Sequence, residues 1–305
     1  MASFAARTRG FFALVALITA SLVLTGCTGT WSGKGNEVAD AIDRASEAKS
    51  GKFSGSMQMK MTGGPPELAA NGDVTLVMTG ATDSSDPKNP RMWMEIEAVG
   101  QAVAMRTVMP GDGKVYMTSG NETFSIPVPL SNSDQYAIDN ARLLAALGSA
   151  VGGFKKSQPM VNIQGQSVPA ISAKVNRGKL CGSVLAAMGN AFNAGAGSGA
   201  ADLSKSLGGE AGKGLEGVCK SMLRKDPNIW FGITDGTLTD VALTADVVFP
   251  FGVAMSLTGQ YHMYDLDQSI GRIKAPANAI EVGSFEEMQA RAVEQAKGNA
   301  PAFGQ

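Results

Sequence analysis

The sequence predicts an α+β fold built on one antiparallel sheet, and three observations carry that expectation. Six short runs between Phe53 and Val128 alternate apolar with polar residues, the period of a strand that has one apolar face. Turn clusters such as Pro110-Gly111-Asp112-Gly113 and Ser119-Gly120-Asn121 separate these runs and leave no room for crossover helices, so the strands form a meander. Segments of helical period precede, interrupt and follow the strands.

The chain opens on an export signal. Arg7 and Arg9 precede an apolar run from Phe11 to Leu24, too short for a comfortable transmembrane helix, and Leu24-Thr25-Gly26-Cys27 closes it with small residues. Residues 1–26 are therefore expected to be removed. The ending Leu-x-Gly-Cys resembles the bacterial lipobox, which implies that the Cys27 thiol is acylated and the chain is held on the extracytoplasmic face of the bacterial cell membrane. Two or three acyl chains, at about 0.8 kcal/mol per buried CH₂, make a far more durable anchor than one. The alternative is an ordinary secreted protein with an incidental cysteine.

Of the 305 residues, 279 remain once residues 1–26 are removed, enough for a single domain with a substantial core. Twenty-six Lys and Arg against 27 Asp and Glu give a net charge of −1, and Lys155-Lys156 is only a pair, so no surface for nucleic acid is expected. Beyond Cys27 only Cys181 and Cys219 are left. In an oxidising compartment, an even pair this far apart with no neighbouring ligand reads as a disulfide rather than a metal site.

Residues 27–35 are small and Gly-rich, a flexible tether. Asn36 to Lys49 then places Val38, Ile42 and Ala45 on one helical face, and Gly51 is expected to end this helix. The strands follow in order. Phe53, Gly55, Met57, Met59 and Met61 share one side of the first; Val74, Leu76 and Met78 share one side of the second; Met92, Met94, Ile96 and Ala98 share one side of the third. The runs 102–109, 114–118 and 123–128 complete the meander. Asp134 to Val151 reads as a helix with Leu143, Leu144 and Leu147 on its apolar face, stopped by Gly152-Gly153. A hairpin is expected from 159–163 and 168–175 around Gly165-Gln166-Ser167. Residues 178–226 contain a Gly-rich centre and read as a disulfide-tied insertion with a mobile tip. Strands at 229–234, 237–249, 255–266 and 270–274 are expected next, the first two joined through Asp235-Gly236. A closing helix spans Ser284 to Lys297, with Glu287 at the capping-box position, and residues 299–305 form a loose tail; the folded domain is thus expected over 36–298.

Signals for catalysis are lacking. His262 is the only histidine, and nothing in the sequence places a nucleophile or acid beside it, so it reads as structural. There is no phosphate loop, nucleophile elbow or zinc-protease helix, and no motif for a cofactor. Asp265 and Asp267 are too few for a calcium site. The methionines remain open between three readings. They are ordinary core, or the adaptable wall of a lipid pocket, or thioether ligands for copper(I), although same-face side chains about 6.5 Å apart along a strand do not converge on one ion by themselves.

The order of elements resembles the LolA-like group of envelope lipoproteins, of the LppX/LprG type. The matching pieces are Ala45-Ser46-Glu47-Ala48-Lys49-Ser50 leading to Phe53-Ser54-Gly55, then Gly113-Lys114-Val115-Tyr116-Met117, the Asp235-Gly236 hairpin, and the last strand before Lys274-Ala275-Pro276. The insertion carrying Cys181 and Cys219 departs from that pattern. The resemblance implies a strongly curved antiparallel half-barrel of about 10–11 strands, helices covering its concave face, and a cavity for acyl chains between the layers. The expected function is then a membrane-anchored, non-enzymatic lipoprotein that shields a lipid or lipidated ligand in the cell envelope. Its pocket residues would be Phe53, Met57, Met59, Met61, Val74, Leu76, Met78, Met92, Met94 and Ile96, facing Leu143, Leu144 and Leu147. The alternative is an anchored scaffold or sensor with a solid core that assists an envelope protein partner.

Overall fold

The structure, a computed structural model, describes residues 33–63, 73–86, 88–99, 103–119, 122–127, 150–181, 217, 219–248, 253–283, 287 and 291. Helix α1 spans Lys34–Glu47 and buries Gly35, Val38, Ala41, Ile42 and Ala45, a stripe at helical spacing. Glu37 in its first turn and Arg44 in its last complement the helix dipole. It ends at Ala48, whose backbone is extended, and Gly51 lies within the following strand rather than stopping the helix.

Six strands form the expected meander: β1 (Ser50–Thr62), β2 (Asp73–Asp83), β3 (Arg91–Val99), β4 (Val103–Met109), β5 (Lys114–Ser119) and β6 (Glu122–Pro127). The chain then supplies β7 (Val151–Lys156), β8 (Met160–Val161), β9 (Ser167–Val168), β10 (Ala170–Val175), β11 (Asn228–Thr234), β12 (Thr237–Val248), β13 (Ala254–Tyr264) and β14 (Ile280–Glu281). Twelve of these make one large curved sheet in the order β14-β6-β5-β4-β3-β2-β1-β13-β12-β11-β10-β7, antiparallel except for the β14–β6 pair. The described strands do not close into a barrel, because β14 and β7 stand at opposite ends of the order. The two halves of the chain meet where β1 pairs β13, from Lys52 opposite Tyr264 to Thr62 opposite Ala254.

Several expectations need correction. The main sheet has twelve strands rather than about 10–11, since β7 and β14 were not anticipated. Ala150 is helical, so a helix ends one residue short of the expected Val151, and Val151 and Gly152-Gly153 then begin the unforeseen β7, where Gly153 takes a left-handed φ of 68° and the pairing with β10 is irregular. Pro159–Val175 is not one hairpin. Pro169 has no N–H to continue the ladder, so β9 stays with β8 while β10 joins the main sheet, and the Pro169 carbonyl accepts the Ile233 N–H at 3.0 Å. Residues 270–274 are not a strand, and β13 stops at Tyr264 because Asp265 and Asp267 adopt φ of 52° and 58°. Asp265 pairs with Lys52 Nζ at 2.8 Å, and Asp267 Oδ1 accepts the Lys49 N–H at 2.8 Å. Both carboxylates therefore tie the end of β13 back to the start of β1. Of the closing helix only Glu287 and Arg291 are described, both helical, with Glu287 Oε2 accepting the Gly283 N–H at 2.8 Å.

Cys181 and Cys219 are disulfide-bonded with their Cα atoms 5.8 Å apart. Beside the bond, Arg177 Nη1 donates to the Leu223 carbonyl at 2.7 Å and the Arg177 N–H donates to Asp226 Oδ1 at 3.1 Å. The two ends of the expected insertion are thus held together twice, covalently and by hydrogen bonds.

Asp83, at the end of β2, accepts the Ser85 N–H at 2.9 Å and pairs with the Arg91 guanidinium at the start of β3. The Ser85 hydroxyl and N–H, helped by Arg91, hold its carboxyl down at about 2, below the ordinary 3.8. A depressed carboxylate stabilises the fold above its unfolded pKa near 4, and that contribution is lost as the pH falls from about 4 towards 2. Its size is about 1–2 kcal/mol. Urea unfolding of Asp83→Asn should accordingly be less pH-dependent than the parent between pH 5 and pH 2 by about that amount. Equal slopes for the two proteins would show that the β2–β3 corner is not held by this carboxylate.

Candidate functional site

Side chains opposite one another in a ladder share a face, so the register sorts the sheet. One face lies beneath α1, whose Val38, Ala41, Ile42 and Ala45 pack with Phe53, Met78, Ile171, Phe231, Tyr261 and Met263. On this inner face β1 presents Met57, Met59 and Met61, β2 Met78, β3 Met92 and Met94, β4 Met105 and Met109, β5 Met117, and β13 Met255 and Met263. Eleven of the chain's 16 methionines therefore line one side of one sheet.

All of the expected pocket residues on strands fall on this face. Phe53, Met57, Met59, Val74 and Met78 are buried, whereas Met61, Leu76, Met92, Met94 and Ile96 are half-buried. All but Met92 divide between two clusters. Phe53 and Met78 belong to the core under α1, with Met94 and Ile96 packed against it, while Met57, Met59 and Val74 form a second cluster with Met255 and Leu257 that Met61 and Leu76 join. Leu143, Leu144, Leu147 and Cys27 lie outside the described residues.

Gly259 marks the boundary between the clusters. It sits on β13 between Leu257 and Tyr261, opposite Met57 on β1 and Leu243 on β12. A Cβ there would meet only the Ser56 carbonyl oxygen, at 4.0 Å, among the described residues. Tyr261, two residues on, is 4% exposed and stacks on Phe53 with ring centroids 5.7 Å apart. Its hydroxyl is buried with no hydrogen-bond partner among the described residues. Burial alone pushes the phenol well above its usual pKa, so it stays an O–H donor. An uncompensated buried hydroxyl costs about 1–3 kcal/mol.

The opposite, outer face carries, among the described residues, the one cluster with the residue types of acid–base chemistry. Asp240 on β12, His262 on β13 and Ser54 on β1 are directly opposite one another in that order. His262 Nδ1 and Asp240 Oδ1 are 2.8 Å apart, with Asp240 1% and His262 6% exposed. Thr239 Oγ1 donates to the other Asp240 oxygen at 2.7 Å, Tyr264 stacks on the imidazole at 5.5 Å, and the Ser54 hydroxyl is buried without a partner among the described residues. Over this row lies the β8–β9 hairpin. Asn162 Nδ2 approaches His262 Nδ1 at 3.5 Å, and a Cβ on Gly232 would stand 3.1 Å from both Met160 Sδ and Val168 Cγ1. The carboxylate fixes the imidazole under the hairpin, a structural clamp. No hydrogen bond joins Ser54 to His262 among the described residues, so the base of a nucleophilic pair is not engaged.

Sequence reasoning missed two groups. Met255, Leu257, Gly259, Tyr261 and Met263 alternate with polar residues as plainly as β1 does, and that period was enough to place them on the inner face. Nothing local joins Asp240 to His262, which are brought together by strand register alone.

No family model matches the chain. No curated protein matches it either. Among solved structures it is similar to a β-barrel-like protein of a domain of unknown function, DUF1849, from Brucella abortus, at 9% identity over 70% of this chain and 98% of that one, with a TM-score of 0.19. At that score the likeness carries no argument about this chain.

Proposed function

We propose that this protein is a membrane-anchored carrier of the LolA-like kind, binding the acyl chains of a lipid or lipidated molecule for transport or presentation in the cell envelope. In this reading Cys27 carries the anchor, the sheet is a half-barrel, and helices covering its inner face leave an apolar cavity for the ligand. The observation that carries the reading is the gathering of eleven methionines on one face of one sheet. Flexible, polarizable thioethers adapt to chains of varying shape, where a branched aliphatic core would fix one packing. The driving force is burial of hydrocarbon, about 25 cal/mol per Å², with no covalent step.

Native mass spectrometry tests this on the chain exported without an acyl anchor, using Cys27→Ala behind a conventional cleavable signal and no detergent. A co-purifying lipid mass that organic extraction removes is the expected result. Neither a bound lipid nor uptake of a fluorescent fatty-acyl probe would leave the scaffold alternative, a solid core serving a protein partner, as the better account.

A further inference from the structure

We infer that the surface around the Cys181–Cys219 disulfide is a membrane-docking face, which lays Lys and Arg side chains on the anionic phospholipid headgroups of the bilayer. The inference goes beyond the carrier reading and takes from it only the anchor at Cys27. Two runs of chain, 174–181 and 219–228, meet at this end of the sheet. The disulfide joins them, Arg177 Nη1 donates to the Leu223 and Arg224 carbonyls at 2.7 and 3.2 Å, and Lys174 stands opposite Asn228 in the β10–β11 ladder. Together they carry Lys174, Arg177, Lys179, Lys220, Arg224 and Lys225, every one of them exposed. Among the described residues, the carboxylates set against them are Asp226, which accepts the Arg177 N–H, and Asp246, which pairs with Lys225 Nζ at 3.0 Å. Six cations against two carboxylates make a strongly positive patch on a chain whose net charge is −1.

The form of the patch selects its partner. One small anion is held by donors that converge in a cleft, whereas these six side chains stand exposed over two runs of chain. That arrangement suits a plane of like negative charge. Each Lys or Arg close to an anionic bilayer strengthens binding about fivefold, an effect that fades within a Debye length of about 8 Å. The anchor brings the patch into that range. Residues 27–33, at most about 3.5 Å each, give a reach of about 25 Å, comparable with the length of α1 at about 21 Å. A chain of that length does not dictate which face of the domain meets the bilayer, and charge decides it. An acyl anchor and a basic patch are two signals of the kind that together make membrane attachment durable.

The test cosediments the full exported chain bearing Cys27→Ala with vesicles of phosphatidylcholine, or of an equal mixture of phosphatidylcholine and phosphatidylglycerol. The parent should bind the mixed vesicles, ignore the neutral ones, and be released by high salt. Lys174→Gln, Lys179→Gln and Arg224→Gln combined should weaken binding about a hundredfold, about fivefold for each charge. Arg177 is left in place because it holds the two runs together. Lys88→Gln, Arg272→Gln and Lys274→Gln combined remove three exposed cations at the other end of the strands, between β2 and β3 and beyond β13, and should leave binding unchanged. Both triple variants should melt with the parent. Equal binding to the two kinds of vesicle, or the same loss in both triple variants, overturns the docking face by showing that no particular surface meets the headgroups. Binding to neither vesicle overturns it too, and leaves the patch to an acidic protein partner. None of these outcomes bears on the carrier reading, which the co-purifying lipid tests separately.

Discussion

Asp240→Ala is expected to destabilise the protein by about 3–5 kcal/mol, the scale seen when one member of a buried pair is removed and the other is left. Asp240 is 1% exposed and its two oxygens are taken by His262 Nδ1 at 2.8 Å and Thr239 Oγ1 at 2.7 Å. Without the carboxylate, the imidazole loses its partner beneath the β8–β9 hairpin, while the Thr239 hydroxyl keeps Thr234 Oγ1 at 3.1 Å. The reverse variant, His262→Ala, leaves a buried carboxylate with one neutral donor and should cost as much. Replacing both by apolar residues should cost less than the sum of the single changes, because neither then abandons a polar partner. Urea unfolding of the four proteins measures the cycle. Single variants within 1 kcal/mol of the parent, or costs that simply add, would show that the pair does not clamp the hairpin to the sheet.

Gly80→Val should be comparably damaging, at about 3 kcal/mol or more. A Cβ at Gly80 would lie 2.3 Å from Phe53 Cζ and 2.6 Å from the Trp93 carbonyl oxygen, and neither can yield freely. Phe53 is 4% exposed and stacked on Tyr261, and Trp93 belongs to the backbone of β3, paired with β2 at that point. The close approach that only glycine permits is what lets Phe53 lie flat across β2. Gly152→Ala, on β7, is the contrast and should change stability by less than about 1 kcal/mol, since its half-exposed position leaves the Cβ with no described atom within 4 Å. Similar midpoints for the two variants in a thermal or urea titration would mean that Phe53 packs elsewhere.

Much of the sheet was legible because alternation is a local signal. Met57, Met59 and Met61 on β1 and Met92 and Met94 on β3 were placed on one face from period alone, and the register puts them there. The pair Cys181 and Cys219 followed from counting cysteines. Elements that depend on a partner were misread. Gly152-Gly153 read as a helix stop, and a helix does end at Ala150, but the strand Val151–Lys156 that begins there and pairs with β10 at the sheet edge was not foreseen. The run 168–175 looked like one strand, and only the missing N–H of Pro169 divides it between two sheets.

By itself the amino-acid order determined which residues share a face, where turns interrupt the chain, and that one side of the sheet is rich in thioethers, because each follows from the two-residue period of an extended backbone and from turn chemistry. Only the tertiary structure decided that β1 lies beside β13, with Lys52 opposite Tyr264, and that Ser54, His262 and Asp240 stand in one row. Those neighbours are set by hydrogen-bond register between strands that lie far apart in the chain, and a register slip of one residue would send every one of them to the other face.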